Sequence, residues 1–294
     1  MILTIRSTAL TVEIEDAGAQ LASVRDNQTG TEYLWQGNPA VWPRRAPLLF
    51  PIIARLRGNQ YTYNGKTWTI PTHGFCRTAP FTVTEQSETS VSFRYADTDE
   101  TRKVYPFAFA ITVTYTLKGR TLTKRHRIEN RSDVPMPFEL GGHDGFRVPL
   151  EAGETMSDYA IRIPGLEAIT PYGMDAENMI TPKTVSHTLP NQGRIPLKPS
   201  VYGLDTVILD ELPQRKAMLV DRQDRSRVTL EFKDFTYLGI WTATQDADTN
   251  FVCIEPWTTL PDAVFVGRGL TDKAGIRILD PGKSALLSYN TSFQ

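Results

Sequence analysis

The chain has 294 residues, a formal net charge of -1, and 40% hydrophobic and 22% charged residues. This is an ordinary globular composition, long enough for two small domains or one large all-β domain. A near-neutral balance argues against nucleic acid or an anionic membrane as the main partner, since both call for a basic face. Cys76 and Cys253 lack CxxC spacing and indicate neither a zinc site nor a redox motif. The opening Met1-Ile-Leu-Thr-Ile-Arg6 has no basic head before a long apolar core, and the apolar run Pro47-Leu-Leu-Phe-Pro-Ile-Ile-Ala54 is too short to span a bilayer. The expectation is a cytoplasmic protein with no membrane partner.

Period-two alternation dominates the chain. Phe81-Thr-Val and Val91-Ser-Phe-Arg-Tyr95 alternate first. In Ile111-Thr-Val-Thr-Tyr-Thr-Leu117 the apolar residues are separated by threonines, which predicts a half-buried strand. Lys118-Gly119 then turns the chain into Leu122-Thr-Lys-Arg-His-Arg-Ile-Glu129, completing a hairpin. Residues 152 to 203 are the least regular, broken by Pro164-Gly, Pro171-Tyr-Gly, Pro190-Asn and Pro199-Ser, and read as an excursion bordering a site. Val228-Thr-Leu-Glu-Phe232 alternates again, whereas Tyr237-Leu-Gly-Ile-Trp241 is apolar on both faces, as a strand between two layers is. Turn signals recur at Asn27-Gln-Thr-Gly30, Asn64-Gly65, Asp144-Gly145, Gln192-Gly193 and Asp280-Pro-Gly282. With 20 prolines and no segment of more than about three turns at helical period, the chain reads as one all-β unit over residues 1–294, a large antiparallel β-sandwich.

Three phrases carry the chemistry: His73-Gly-Phe-Cys-Arg77, Gly141-Gly-His143-Asp-Gly-Phe146 and Cys253-Ile-Glu255-Pro-Trp257. Gly141-Gly142 either admits a close approach to the backbone or bulges the strand to aim His143. Glu255, inside an apolar strand, must find a partner or shift its pKa, because an unpaired buried charge is costly. Asp205 stands at the mouth of a short apolar strand and Arg55 follows an apolar run; an acid and a guanidinium are suited to gripping vicinal hydroxyls. Trp35, Trp42, Trp241 and Trp257 can stack on the apolar face of a sugar or fill the core. His126 and His187 receive no role. HExxH, the P-loop, the dinucleotide fingerprint and the GxSxG elbow are absent.

These phrases, in order, resemble the aldose 1-epimerase (galactose mutarotase-like) superfamily, most closely its compact bacterial branch. The likeness runs from Gly18-Ala-Gln-Leu-Ala-Ser23 and Glu32-Tyr-Leu-Trp35 through Ala46-Pro-Leu-Leu-Phe-Pro51 and the His73 phrase. It continues with Asn130-Arg-Ser-Asp-Val-Pro-Met-Pro-Phe138 leading to His143, then Leu204-Asp205, Glu255-Pro-Trp257, Lys273-Ala-Gly-Ile and Leu279-Asp-Pro-Gly282. The resemblance implies a β-supersandwich and the interconversion of α and β anomers of a hexopyranose. Glu255 matches the family's general base, His143 its general acid and His73 the assisting histidine. Asp205, Arg55, Arg77 and Trp257 are the implied substrate-binding positions. Neighbouring carboxylates are expected to keep His143 protonated, with burial raising Glu255.

No metal or cofactor is expected, because no electrons move and no group leaves. The implied partner is a small-molecule sugar, and the expected state is a monomer or homodimer. The chain departs from the family pattern where His143 is followed by Asp144 instead of proline, and where Thr258-Thr259 follow Trp257 in place of a small glycine. Arg57, Arg77 and Arg147 also suit a phosphorylated, sulfonated or carboxylated sugar. A mutarotase for such an anionic hexose, a non-catalytic sugar-binding module, and a glycoside-cleaving enzyme using Glu255 and Asp205 are the rival readings.

Overall fold

The threonine-spaced hairpin forms as its alternation requires: Phe109–Lys118 pairs antiparallel with Thr121–Asn130, turning at Gly119. In the computed structural model, which describes residues 1–189, 193–243 and 249–294, this hairpin lies inside a nine-stranded sheet. That sheet runs from Arg194–Pro196 through Ala160–Arg162, Lys216–Val220, Ser226–Glu231 and Ser284–Phe293 to the hairpin, then to Ser90–Ala96 and Thr82–Gln86. A six-stranded sheet faces it, ordered Thr206–Leu209, Tyr237–Trp241, Phe251–Trp257, Gly141–Gly142 and Leu48–Leu49, with Asp144–Arg147 also pairing Phe251–Trp257. The architecture is a large antiparallel β-sandwich, as the alternation predicts. Among the described residues the one α-helix is Asp99–Arg102, capped by Thr98 and Thr101.

The strand Phe251–Trp257 is buried on both faces. Its even positions, Val252 and Ile254, join the main core between the sheets, where each contributes about 1.5–3 kcal/mol by leaving water. Its odd positions face the other way: Phe251 and Cys253 pack with Trp35, Trp42 and Trp241, and Trp257 joins a cluster with Leu49 and Tyr237. Glu255 shares that outer face by alternation.

Polar side chains also tie the two layers together. Lys124 and Tyr289 of the nine-stranded sheet reach Asp144 of the other, both at 2.8 Å, and all three are buried. Lys124 and His126 fall on the inward face of their strand, with Leu122 and Ile128. A Cβ on Gly142 would sit 2.4 Å from the Tyr289 hydroxyl, and one on Gly141 2.7 Å from the Trp257 ring. Of the two roles foreseen for this glycine pair, close approach is the one that holds.

Asp144-Gly145, a turn signal in sequence, lies within the strand Asp144–Arg147. The glycine serves packing there: a Cβ would meet the Trp42 ring at 2.8 Å. Residues 152 to 203 are short strands and 3₁₀ turns, and Met174 and Asn178 from this stretch line the cleft described below. The Pro190-Asn signal, and Gln192 of the Gln192-Gly193 signal, fall on residues outside those described. Cys76 and Cys253 are free and buried. No helix of the described residues is long and apolar enough to cross a membrane.

Candidate active site

A cleft of about 370 Å³ opens on the outer face of the six-stranded sheet. Its lining includes His73, His143, Glu255, Arg55, Asp205 and three tryptophans, Trp42, Trp241 and Trp257. The register pairs Gly141 with Trp257 and Asp144 with Ile254, so His143 stands directly opposite Glu255. The two strand assignments stop short of each other at this point, where Pro256 has no N–H to give to the ladder. The His143 Nε2 lies 3.5 Å from the Glu255 Oε2. On its other side Glu255 pairs with Gly239, where a Cβ would strike the Trp257 ring at 2.6 Å.

His143 is held by rings. Trp42 stacks on it at 5.0 Å between centroids, Trp241 meets it edge-on at 5.5 Å, and His73 stands at 5.5 Å and near a right angle. Trp42 reaches this position over Gly145, whose N–H donates to the Arg45 carbonyl at 2.8 Å. Trp35 is placed behind the cleft, stacked on Phe251 and donating its indole N–H to the Trp42 carbonyl at 2.8 Å. It braces the wall rather than forming it.

His73 adopts a left-handed backbone, φ 63°, followed by Gly74 at φ 67°. Two such residues in succession reverse the chain against the strand carrying Phe50, so closely that a Cβ on Gly74 would lie 2.2 Å from the Phe50 carbonyl oxygen. Only glycine fits there. The reversal directs the His73 Nδ1 to accept the Ala54 N–H at 3.1 Å, while the His73 N–H donates to the Ala54 carbonyl at 2.7 Å. With Nδ1 accepting, the neutral ring carries its proton on Nε2.

The electrostatics differ from the expectation of a charged histidine. Burial drives His143 well below the ordinary imidazole range, with His73, Arg44 and Arg77 adding to the effect. Burial pushes Glu255 well above the ordinary carboxyl range; the Trp257 indole opposes this, and Asp144 and Asp205 add to it. His73 is pushed down to about 3 by burial, then by the charges of Arg77, Arg44 and Arg55. Asp144, the carboxylate adjoining His143 in sequence, turns to the opposite face and is committed to Lys124 and Tyr289. Guanidinium groups are the charges His143 feels instead. The favoured form of the pair is a protonated carboxyl beside a neutral imidazole.

Arg55 and Asp205 both lie at the mouth of the cleft and are exposed, and Asp205 accepts the Thr206 hydroxyl at 3.3 Å. Arg77 is half-buried in the 3₁₀ turn Cys76–Thr78 beyond the His73 reversal and does not line the wall. Arg57 is turned to the Ala263 carbonyl at 2.9 Å and Arg147 to the Leu150 carbonyl at 3.1 Å, so neither faces the cleft. Arg44, which motif reading passed over, acts on both site histidines; its signal was a position two residues beyond a cleft tryptophan. His143, Cys253 and Glu255 bring a nitrogen, a sulfur and an oxygen within 4.8 Å of one another, a set able to hold a thiophilic cation.

The sequence profile of the family described as aldose 1-epimerase matches residues 1–280. Protein LacX (plasmid) of Lactococcus lactis subsp. lactis is 31% identical over 297 residues, covering 99% of this chain and 98% of that protein. A galactose mutarotase related enzyme from Lactobacillus acidophilus superposes with a TM-score of 0.92 at 33% identity, over 100% of this chain and 97% of the other. A galactose mutarotase-like protein from Lactobacillus casei ATCC 334 does so with a TM-score of 0.89 at 29% identity, over 100% of both chains. With a profile match over nearly its whole length and relatives of this similarity, the chain belongs to the aldose 1-epimerase family.

Proposed function

We propose that the protein is an aldose 1-epimerase interconverting the α and β anomers of a hexopyranose, with Glu255 and His143 as the proton-transfer pair and His73 as a neutral hydrogen-bond donor. The observation that carries this reading is the opposed imidazole and carboxyl, 3.5 Å apart, on the floor of a cleft walled by tryptophans. Glu255 takes the proton of the anomeric hydroxyl while His143 gives one to the ring oxygen. The ring opens to the aldehyde, rotates about C1–C2 and recloses with both transfers reversed.

The pair must hold one proton in total. As folded, burial favours that proton on Glu255, and one transfer across the pair yields the carboxylate and imidazolium that ring opening uses. The buried Trp257 indole N–H, close to the Glu255 carboxyl, favours the carboxylate side of this exchange. His73, with Nδ1 occupied by Ala54, has its Nε2 proton available for a sugar oxygen. Asp205 and Arg55, which line the cleft, hold sugar hydroxyls in this reading.

Anomeric exchange of freshly dissolved α-glucose, α-galactose and charged hexoses, followed by NMR with and without protein, tests the reading. Acceleration that Glu255→Gln abolishes is expected. Saturable binding with no exchange for any sugar would instead make the protein a sugar-binding module.

A further inference from the structure

The phrase Lys273-Ala-Gly-Ile has no part in the proton transfers, yet its lysine is buried. The Lys273 Nζ stands 3.1 Å from the Oε1 of Glu139, which is buried as well. The second carboxylate oxygen of Glu139, Oε2, accepts the Ile53 N–H at 2.6 Å. A little further along the chain the Oδ2 of Asp262, also buried, accepts the Arg57 N–H at 2.8 Å. Two buried carboxylates therefore fix the backbone at either end of Ala54-Arg55-Leu56.

That short segment is part of the site. Ala54 and Arg55 line the cleft, whereas Glu139 and Lys273 do not. Ala54 has a left-handed backbone, φ 53°, which an alanine keeps only where its surroundings hold it. It exchanges two hydrogen bonds with His73: its N–H donates to the His73 Nδ1 at 3.1 Å, and its carbonyl accepts the His73 N–H at 2.7 Å. The Ile53 anchor is thus one residue from the amide that selects the His73 tautomer.

We propose that the Lys273–Glu139 pair is a positioning device for the cleft. By holding the Ile53 N–H it keeps Ala54 in its left-handed turn. Through Ala54 it fixes the His73 tautomer and the entry of Arg55 into the cleft. Lys273 engages one carboxylate oxygen and leaves the other to the backbone. Burial pushes the Glu139 carboxyl up, and the Lys273 ammonium and the Ile53 N–H oppose it.

The test separates the hydrogen bond from the charge. Glu139→Gln keeps the volume, but its single acceptor oxygen is drawn to the Lys273 ammonium and its NH2 is turned on the Ile53 N–H. Glu139→Gln/Lys273→Met removes the ammonium and frees that oxygen for Ile53. The chain has four histidines, so imidazole-nitrogen NMR resolves His73 and reads which of its nitrogens carries the proton. Expected is a proton on Nε2 in the wild type, a mixture of tautomers in Glu139→Gln, and the wild-type pattern again in the double variant. Amide hydrogen exchange at Ala54 should rise about tenfold or more in the single variant and fall back in the double. A folded Glu139→Gln protein with wild-type His73 and Ala54 signals would overturn the proposal. So would a double variant no nearer the wild type than the single.

The effect on turnover rests on the epimerase reading; the effect on His73 does not. In anomeric exchange kcat/KM should fall about ten- to a hundredfold in Glu139→Gln and return to within about threefold of wild type in the double variant. If the wild type exchanges no sugar, the epimerase reading fails and the His73 pattern decides the positioning role by itself. Circular dichroism establishes folding first. Where Glu139→Gln does not fold, Glu139→Asp, which keeps the charge but withdraws it from Ile53, is read in the same way with the same two outcomes.

Discussion

His143 and Glu255 are cross-strand partners in one antiparallel pair, imidazole Nε2 to carboxyl Oε2 at 3.5 Å, although 112 positions separate them along the chain. Each is driven toward its uncharged form by burial, so together they behave as a single proton-carrying unit. On the proposed mechanism, removing either member leaves the other without a partner for proton transfer. Glu255→Gln and His143→Gln are each expected to lower kcat for anomeric exchange by about 10²–10⁴-fold, with the double variant little worse than the singles. Additive losses would show that the two act separately.

His73 is held neutral, its pKa pushed down to about 3, so the donor role proposed for it does not depend on titration at working pH. His73→Asn is expected to reduce kcat/KM without introducing or removing a limb in the pH–rate profile between pH 5 and 8. A vanished limb would mean that His73, and not the Glu255–His143 pair, sets the pH dependence.

The buried Lys124–Asp144 pair lies behind the strand that carries Glu255, 5% and 1% exposed. Lys124→Met strands the Asp144 carboxylate beside Tyr289 and is expected to cost about 3–5 kcal/mol of stability, as breaking one side of a buried pair does. Lys124→Met/Asp144→Asn should recover part of that loss. Urea unfolding of the two single variants and the double gives the cycle. No recovery would mean that the two charges do not interact.

His126 is fully buried, and burial together with Lys124 holds its pKa at about 3 against 6.5 unfolded. The unfolded chain therefore binds the extra proton first as pH falls, and stability rises with pH between about 3 and 6.5. Acidification through that window removes it. His126→Phe should flatten this acid slope, a difference read from urea midpoints at pH 4, 5 and 7; an unchanged slope would assign it to other groups.

A thiophilic cation is expected to compete with catalysis, because the nitrogen, sulfur and oxygen of His143, Cys253 and Glu255 lie within 4.8 Å of one another. Zinc titrated into the exchange assay should slow it, and Cys253→Ser should weaken that inhibition by about tenfold or more, thiolate being the strongest of the three ligands. Equal sensitivity in the variant would place the cation elsewhere.

Much was legible along the chain because strands write their faces at period two. The hairpin of residues 109–130 and the doubly apolar Tyr237–Trp241 appear where alternation placed them, and the ordered phrases around His73, His143 and Glu255 identified the family. Even the inward Lys124 was written in its spacing with Leu122 and Ile128, though a cation in an apolar stripe is discounted until its carboxylate is seen. Register was not legible: which residue stands opposite Glu255 depends on strands remote in sequence, and only pairing decided that it is His143. Direction was not legible either. Asp144 adjoins His143 yet faces away from it, since neighbours on a strand point to opposite sides, while Arg44 and Arg77, distant in sequence, supply the field that acts on the site. Composition and periodicity settle which side chains are present and which surfaces they share. Protonation depends on burial and on the charges nearby, and those exist only once the sheets have closed on each other.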